Sequence, residues 1–291
     1  MLLRRRRSSP LAVYLVVLTA LLAISLIVVL PVDYDYYALS TSEKGHRNLV
    51  EHGASWSNSP LRGVDANKTL LVVARRTPIS SSELEELVDF ASRGGVVVAY
   101  GSREFTESLL RGLGLSVVYW GLVLDPVFSE SSPRRVLVEL SEWNTSVTLD
   151  TPYVFNITGT PSRGELEYAA YTSIFSFVDG IVENGVYDIG EPIGEFPVIY
   201  TLRVNSGVLV VVCAQGVFTN SVLRENSEWL RLLASGGRSI VLDQSEFENN
   251  ILAYFKLLVV TPRGVSPLLV LVLSVVIVVV LYYVYSRGGL G

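Results

Sequence analysis

The sequence contains few of the residues on which most enzyme chemistry depends. In 291 residues there are a single cysteine, Cys213, and two histidines, His46 and His52. One cysteine excludes an internal disulfide and any zinc site built from several thiolates. The two histidines are six residues apart and do not share a helix face. We therefore predict no metal and no cofactor, and interpret both histidines as solvated helix residues.

Charged residues are also scarce, at 18% of the chain, and they are unevenly distributed. Four arginines stand together at Arg4 to Arg7. Residues 32–262 contain 17 basic and 28 acidic residues, an excess of eleven negative charges. Because nucleic acids are bound largely through cationic contacts to phosphate, this acidic body excludes a nucleic-acid partner.

What the sequence has in excess is apolar residues, in two long runs within residues 11–31 and 265–286. The mean hydropathy of the chain is +0.42. At about 1.5 Å per residue, each run spans the roughly 30 Å hydrocarbon core of a bilayer. These runs predict two transmembrane helices, and hence a cell-membrane protein in contact with the lipid bilayer.

The arginine cluster predicts the orientation of those helices, because cytoplasmic flanks are enriched in Lys and Arg. Residues 1–10 and 287–291 would be cytoplasmic tails, and residues 32–264 an extracytoplasmic domain. A cleaved signal peptide is the alternative for the first run. That run is longer than the usual apolar region of about 7–15 residues, and no small-residue cleavage site follows it, which favours an uncleaved anchor. Three N-glycosylation acceptor motifs lie in the predicted external domain, beginning at Asn67, Asn144 and Asn156.

The body of the chain shows an alternation of strands and helices that predicts an α/β fold. The run at 69–74 is continuously apolar, as in a parallel strand buried on both faces. A helix from Ser81 ends at Gly94-Gly95, and a strand follows at 96–100. A second block has strands at 208–213 and 239–242, with a helix at 220–234 between them. Residues 120–206 instead alternate over short runs, which predicts a β-rich insertion of antiparallel strands.

Three passages resemble domain-of-unknown-function family 4350, a class I glutamine-amidotransferase-like domain of archaeal and bacterial membrane proteins. They are LSTSEKGHRNLVEHG at 39–53, the strand, helix and Gly-Gly at 69–101, and the strand, helix and final Asp at 207–243. The resemblance implies a flavodoxin-like open parallel sheet and no established activity. It also implies association with MoxR-type ATPase systems or with a permease. The sequence departs from the family after Asp243, where acidic and His residues commonly follow.

Two side chains were considered as nucleophiles, and neither predicts catalysis. Cys213 lacks the flanking glycines of an amidotransferase elbow, which favours a buried structural thiol. Ser102 follows a strand and precedes a helix but has no evident His partner, so it is interpreted as a helix cap. We interpret two acidic segments, Asp179-Gly180 and Asp188 to Glu191, as turns, because they lack the spacing of a known calcium loop. We predict that the chain is not an enzyme.

A ligand of an open α/β sheet is expected beyond the carboxyl ends of the parallel strands. The candidate ligand-binding residues there are Arg75, Arg76, Ser102, Arg103, Gln215 and Asp243. The sequence leaves three candidate functions. The favoured one is a two-span membrane protein whose non-catalytic external domain binds a partner or ligand. The alternatives are an auxiliary subunit of an ABC-type transporter, and a cryptic hydrolase or transferase that uses Ser102 or Cys213.

Overall fold

A computed structural model describes residue 18 and residues 33–58, 61, 64–180, 182–248, 250, 253–254, 256–257, 260–261 and 264–265. The chain divides into two compact units. One unit is Val32–Glu248, and the other combines Met1–Pro31 with Asn249–Gly291. In the second unit, β13 (Val260–Thr261) and β14 (Gly264–Val265) form a short antiparallel pair.

The centre of Val32–Glu248 is a seven-stranded mixed sheet in the order β1-β12-β2-β3-β10-β9-β7. Its strands are β1 (Ser55–Ser57), β2 (Thr69–Arg75), β3 (Val96–Gly101), β7 (Glu165–Tyr171), β9 (Pro197–Val204), β10 (Gly207–Val212) and β12 (Ser239–Asp243). The first five strands in the spatial order are parallel, whereas β9 and β7 are antiparallel to their neighbours. All seven residues of β2 are buried, as its continuous apolar run predicts.

The α-helices whose bounds the structure describes are α1 (Arg47–Glu51), α2 (Ser81–Ser92), α3 (Arg103–Gly112) and α4 (Ser227–Leu233). Helix α2 begins at a capping box, in which Ser80 and Glu83 each satisfy a backbone N–H of the other. It ends before Gly94, whose φ of +93° is one that residues with a Cβ rarely adopt. This helix connects the parallel strands β2 and β3.

A second sheet of five strands is built almost entirely from the insertion. Its strands are β4 (Ser116–Leu124), β5 (Arg135–Leu140), β6 (Thr145–Thr158), β8 (Phe177–Asp179) and β11 (Ala214–Gly216). The long strand β6 pairs with β5 and β11 near its beginning and with β4 near its end, and β4 also pairs with β8. The main core lies between the elements of both sheets, since Leu71, Leu109 and Tyr153 belong to one buried cluster.

The prediction of a flavodoxin-like open parallel sheet with a separate β-rich insertion is wrong. The sheet is mixed, because β9 and β7 come from the insertion and extend it beyond β10. The reason is the short connection between β9 and β10, which consists of Asn205 and Ser206 only. Two residues suffice for an antiparallel hairpin, whereas a parallel crossover needs a dozen or more.

The prediction of two membrane-spanning helices is also corrected. A crossing helix needs about 20 apolar residues. Among the described residues, no helix is long and apolar enough for this, and the longest, α2, has 12 residues. The predicted spans, 11–31 and 265–286, lie outside the described residues, apart from Leu18. A two-span membrane protein with cytoplasmic termini and an extracytoplasmic domain therefore has no support in this structure, and we withdraw that prediction.

Candidate functional site

Two of the predicted ligand-binding residues, Arg75 and Asp243, form a buried ion pair with each other. Arg75 Nη2 lies 2.6 Å from Asp243 Oδ2, and Arg75 Nη1 lies 2.6 Å from Glu83 Oε1. Arg75 also donates to the hydroxyl of Ser245. Burial alone would lower the pKa of Arg75, but the two carboxylates raise it. The charge of Arg75 is balanced and its N–H donors are engaged. Arg75 therefore joins β2, β12 and α2 and has little left with which to bind a ligand.

Arg76 and Ser102 lie close together, and they are held by the backbone of Arg76 and by the hydroxyl of Ser102. The backbone N–H of Arg76 donates to both carboxylate oxygens of Glu246, at 3.0 and 3.2 Å. Ser102 Oγ donates to the carbonyl of Arg76 at 2.6 Å and accepts from the backbone N–H of Phe105 at 3.1 Å. Ser102 is therefore the N-cap of α3, as its sequence position predicts.

Arg103 and Gln215, the last two predicted ligand-binding residues, have separate partners. Arg103 lies on the surface, where it pairs with Glu104 at 3.0 Å and stacks its guanidinium 4.6 Å from the ring centre of Tyr119. Gln215 Oε1 accepts a hydrogen bond from Lys44 Nζ at 2.6 Å. The structure thus joins Arg75 to Asp243 and Arg76 to Ser102, whereas Arg103 and Gln215 are bonded to residues outside the six candidates.

The nucleophile candidates lack the surroundings that catalysis requires. Cys213 is completely buried, and burial raises the pKa of its thiol. No histidine is bonded to Ser102 or Cys213 in the part of the chain that the structure describes. His46 is completely buried, contrary to its interpretation as a solvated residue, and its Nε2 contacts the hydroxyl of Tyr100. Burial lowers the pKa of His46 to about 4, so it is neutral at pH 7.

The acidic turns of the insertion act as structural links. Asp179 Oδ2 accepts from the backbone N–H of Gly185 at 2.6 Å. Glu191 accepts from the backbone N–H groups of Gly180 and Asp188, at 3.2 and 2.9 Å. Within the described residues, no group of three or more His, Cys, Asp or Glu side chains is arranged to hold a metal ion. The carboxylates thus close the loop between β8 and β9.

A different feature of the insertion, Asp125, organises two loops into one surface. Strand β4 ends at Leu124, and Asp125 Oδ1 accepts from the backbone N–H groups of Val127 and Phe128, at 2.8 and 2.7 Å. Its Oδ2 accepts from the hydroxyls of Ser173 and Ser176, at 2.5 and 3.0 Å. Asp125 is completely buried and ties the loop that follows β4 to the loop that precedes β8.

The charge of Asp125 is stabilised by these donors. Burial alone would raise the pKa of its carboxyl. The hydrogen bonds from Ser173, from the backbone of Phe128 and Val127, and from Ser176 together lower the pKa below its ordinary value. A carboxylate with four protein donors needs no further partner, so the two loops are held in a fixed arrangement.

Apolar side chains are exposed to solvent on the two loops that Asp125 joins and on the loop between β8 and β9. We call them the apolar cluster. Its members and their exposed fractions are Val127 (56%), Phe128 (47%), Ile174 (58%), Phe175 (47%) and Ile193 (60%). The rings of Phe128 and Phe175 are in contact, with centres 6.0 Å apart. Ile193 belongs to the same region, because it pairs with Phe177 through backbone hydrogen bonds and Gly194 N–H donates to the Ser176 carbonyl at 2.9 Å.

The apolar surface continues into the loop between β8 and β9. Val182, Val186 and Ile189 in that loop are 65%, 64% and 98% exposed. Tyr187 is 43% exposed and packs its ring against Phe177, with centres 5.6 Å apart. Single exposed apolar residues are common on protein surfaces, whereas a group that includes the contacting rings of Phe128 and Phe175 is a candidate interaction site.

The segment that supplies Ile174, Phe175 and Ile193 to the apolar cluster carries charge of one sign. Residues 173–196 contain five acidic residues and no basic residue. Asp179 and Glu191 are buried in loop contacts, whereas Glu195 is exposed two residues from Ile193. Sequence reasoning did not identify this surface. The usable signal was the excess of Phe and Ile at positions 174, 175, 189 and 193, where no strand pattern explains them.

Comparisons with known proteins give no assignment. No family model and no curated protein matches the chain. Among solved structures, it is similar to the exo-β-1,4-mannosidase Op5Man5 from Opitutaceae bacterium strain TAV5, with 12% identity over 57% of this chain and 24% of that chain and a TM-score of 0.30. A β-galactosidase from Rahnella sp. R3 gives 12% identity, 60% and 24% coverage and a TM-score of 0.31. The chain spans about a quarter of these proteins, and TM-scores this low establish neither a fold nor an activity.

Proposed function

We propose that this chain is a non-enzymatic protein-binding domain whose docking surface is the apolar cluster. The observation that carries the proposal is the exposure of five apolar side chains, each about half open to solvent, four of them on the two loops that Asp125 joins. Large side chains held rigid before binding lose little conformational entropy on association. Aromatic residues such as Phe128 and Phe175 are typical of the central part of protein interfaces.

The state of the nucleophile candidates supports a non-catalytic role. Cys213 is buried with a raised pKa, and a thiolate there would be poorly stabilised. The Ser102 hydroxyl donates to a backbone carbonyl instead of to a base. Nucleophilic catalysis by serine requires an adjacent base, so neither residue supports a hydrolase or transferase.

The charge of the loops indicates the chemistry of the partner. Five acidic residues and no basic residue in 173–196 favour a partner surface with an apolar centre and a basic rim. A second copy of this chain would bring the same acidic loops together, which is electrostatically unfavourable. We therefore infer that the partner is a different protein with a basic, amphipathic surface.

We also propose, from the residues at 39–53, 69–101 and 207–243, that the chain is related to domain-of-unknown-function family 4350. The partner classes which that resemblance implies, a MoxR-type ATPase or a permease, stay predictions. Either partner would have to present basic residues around an apolar patch in order to fit the apolar cluster.

The test uses a defined probe with the inferred chemistry. A short synthetic amphipathic helix of leucine and lysine is titrated into the full chain by isothermal titration calorimetry, and its leucine–glutamate counterpart is the charge control. We expect the lysine helix to bind and the glutamate helix not to bind. Replacing both Phe128 and Phe175 by Ser should weaken binding by roughly tenfold or more, since buried aromatic anchors dominate interface energies.

The matched control is Val118→Ser. Val118 is an apolar residue of β4 that is 62% exposed, and it lies at the opposite end of that strand from Asp125. This variant should bind the lysine helix as the unmodified chain does. Equal binding of both helices, an equal effect of the Val118 and Phe128/Phe175 variants, or preferential binding to neutral phospholipid vesicles would overturn the proposal.

A further inference from the structure

A cavity lies at the other end of the central sheet, where strands β3 and β10 begin. Its volume is about 310 Å³, at the lower end of the range for small-molecule sites. It is lined by Val96, Trp143, Val208, Leu232, Leu233 and Arg238. Five of these six side chains are apolar or aromatic. Because its lining includes the beginnings of β3 and β10, the cavity is separate from the ligand-binding edge predicted at the carboxyl ends of the strands. It shares no residue with the apolar cluster.

Arg238 is the only charged residue of the lining, and part of its guanidinium has no partner. Its Nη1 donates to the Ser235 carbonyl at 2.8 Å. Its Nε is buried and has no hydrogen-bond partner. Among the described residues, no carboxylate forms an ion pair with Arg238. This nitrogen is covered by protein atoms, whereas Nη2 forms no hydrogen bond and no ion pair within the described residues and can donate to an acceptor supplied by a ligand.

The aromatic wall of the cavity is formed by Trp143, which is partly buried. Its ring centre lies 5.6 Å from that of Trp229, whose own indole N–H is buried without a partner. Trp143 and Trp229 also line a much smaller recess of about 10 Å³ together with Leu140 and Ile199. The other lining side chains that a flat ring placed against Trp143 could contact are apolar, apart from Arg238.

We propose that this cavity binds a small aromatic carboxylate. The apolar lining and Trp143 would contact the ring, and the carboxylate would accept from Arg238 Nη2 and from the second N–H of Nη1. Arginine presents its N–H groups in a planar fork that matches a carboxylate. A phosphate ester is a poorer fit, since sites for phosphate groups usually supply several backbone amides or a second cation. The site is independent of the proposed protein-binding function.

The test compares two ligands that share the same ring system, one with a carboxylate and one with a neutral hydroxymethyl group, using the full chain and isothermal titration calorimetry. The probes are 2-naphthoate and the neutral 2-naphthalenemethanol. We expect the carboxylate to bind at least tenfold more tightly than the alcohol, which needs no variant and is unaffected by any folding defect. Arg238→Gln should weaken 2-naphthoate binding by roughly ten- to a hundredfold, as expected for a charge-assisted hydrogen bond, and should leave the alcohol unchanged.

Two further variants control the result. Arg231→Gln removes a cation from α4 that is 74% exposed and lies outside the cavity lining, and it should leave 2-naphthoate binding unchanged. Leu232→Trp should fill the cavity and abolish binding of both probes. Absence of 2-naphthoate binding at millimolar concentration, equal affinity for the two probes, or equal effects of the Arg231 and Arg238 variants would overturn the proposal.

Discussion

At the scale of single residues, the polar side chains with the most hydrogen-bond partners stabilise the fold. The large side chains that are exposed to solvent include apolar ones. Arg75 and Asp243 were predicted as ligand-binding residues, but their side chains satisfy each other inside the protein. Asp125 was not singled out from the sequence, yet four donors converge on it. Neither outcome is visible in the sequence, because both depend on loops that are distant along the chain.

The four donors of Asp125 predict a measurable contribution to stability. Asn at position 125 would place an NH₂ group against hydroxyl or N–H donors, so Asp125→Asn should lower the free energy of unfolding by about 1–3 kcal/mol at neutral pH. Urea unfolding of both proteins measures this difference. Asp89→Asn, which removes only a surface ion pair with Arg93, is the control and should cost less than about 1 kcal/mol.

The same pair of proteins should show a pH dependence of defined sign. Hydrogen bonding lowers the pKa of Asp125 in the folded state. Its stabilising effect is therefore complete above the unfolded-state pKa of about 3.9 and is lost as pH falls through the folded-state pKa. The stability difference between the unmodified chain and Asp125→Asn should shrink below about pH 4. A difference that stays constant into the acid range would contradict this assignment.

At the scale of elements, the parallel strands were readable from the sequence and the antiparallel ones were misplaced. Strands predicted at 69–74 and 96–100 are found at Thr69–Arg75 and Val96–Gly101. Their apolar runs are long enough to mark burial on both faces. The alternating runs in 120–206 predict antiparallel strands, but they do not predict that β9 and β7 join the central sheet. Alternation reports one buried face and does not say which neighbour the strand pairs with.

Asn205 lies in the two-residue connection between the antiparallel strands β9 and β10, and it provides a test. It joins β9 to β10 with φ of +53°, a conformation that is unfavourable for β-branched residues. Asn205→Val should therefore lower the free energy of unfolding by roughly 1–2 kcal/mol. Asn205→Gly should leave it nearly unchanged, since glycine adopts positive φ readily. Urea unfolding of the three proteins distinguishes these outcomes, and equal stability of the Val and Gly variants would show that the turn has a different conformation.

At the scale of the whole molecule, charge and apolar surface are concentrated on the same part of the chain. Residues 120–206 contain 12 acidic and 4 basic residues, and the apolar cluster lies among them. The charge excess was evident from the sequence. The apolar surface was not, because exposure depends on which loops the second sheet brings together. An acidic field is expected to govern how fast a basic partner arrives, and the apolar contacts how long it stays.

Because the acidic field and the apolar contacts act on different rate constants, salt and mutation should change binding of the leucine–lysine helix in different ways. Raising the ionic strength from about 0.01 M to about 0.15 M shortens the Debye length from about 30 Å to about 8 Å. The association rate constant should then fall by about tenfold, while the dissociation rate constant changes little. Replacing Phe128 and Phe175 by Ser should do the reverse, accelerating dissociation with little effect on association. Stopped-flow fluorescence measures both rate constants for the unmodified chain and for Val118→Ser as the control. Should salt change only the dissociation rate, the acidic loops do not steer the partner, and the partner's basic character would have to be reconsidered.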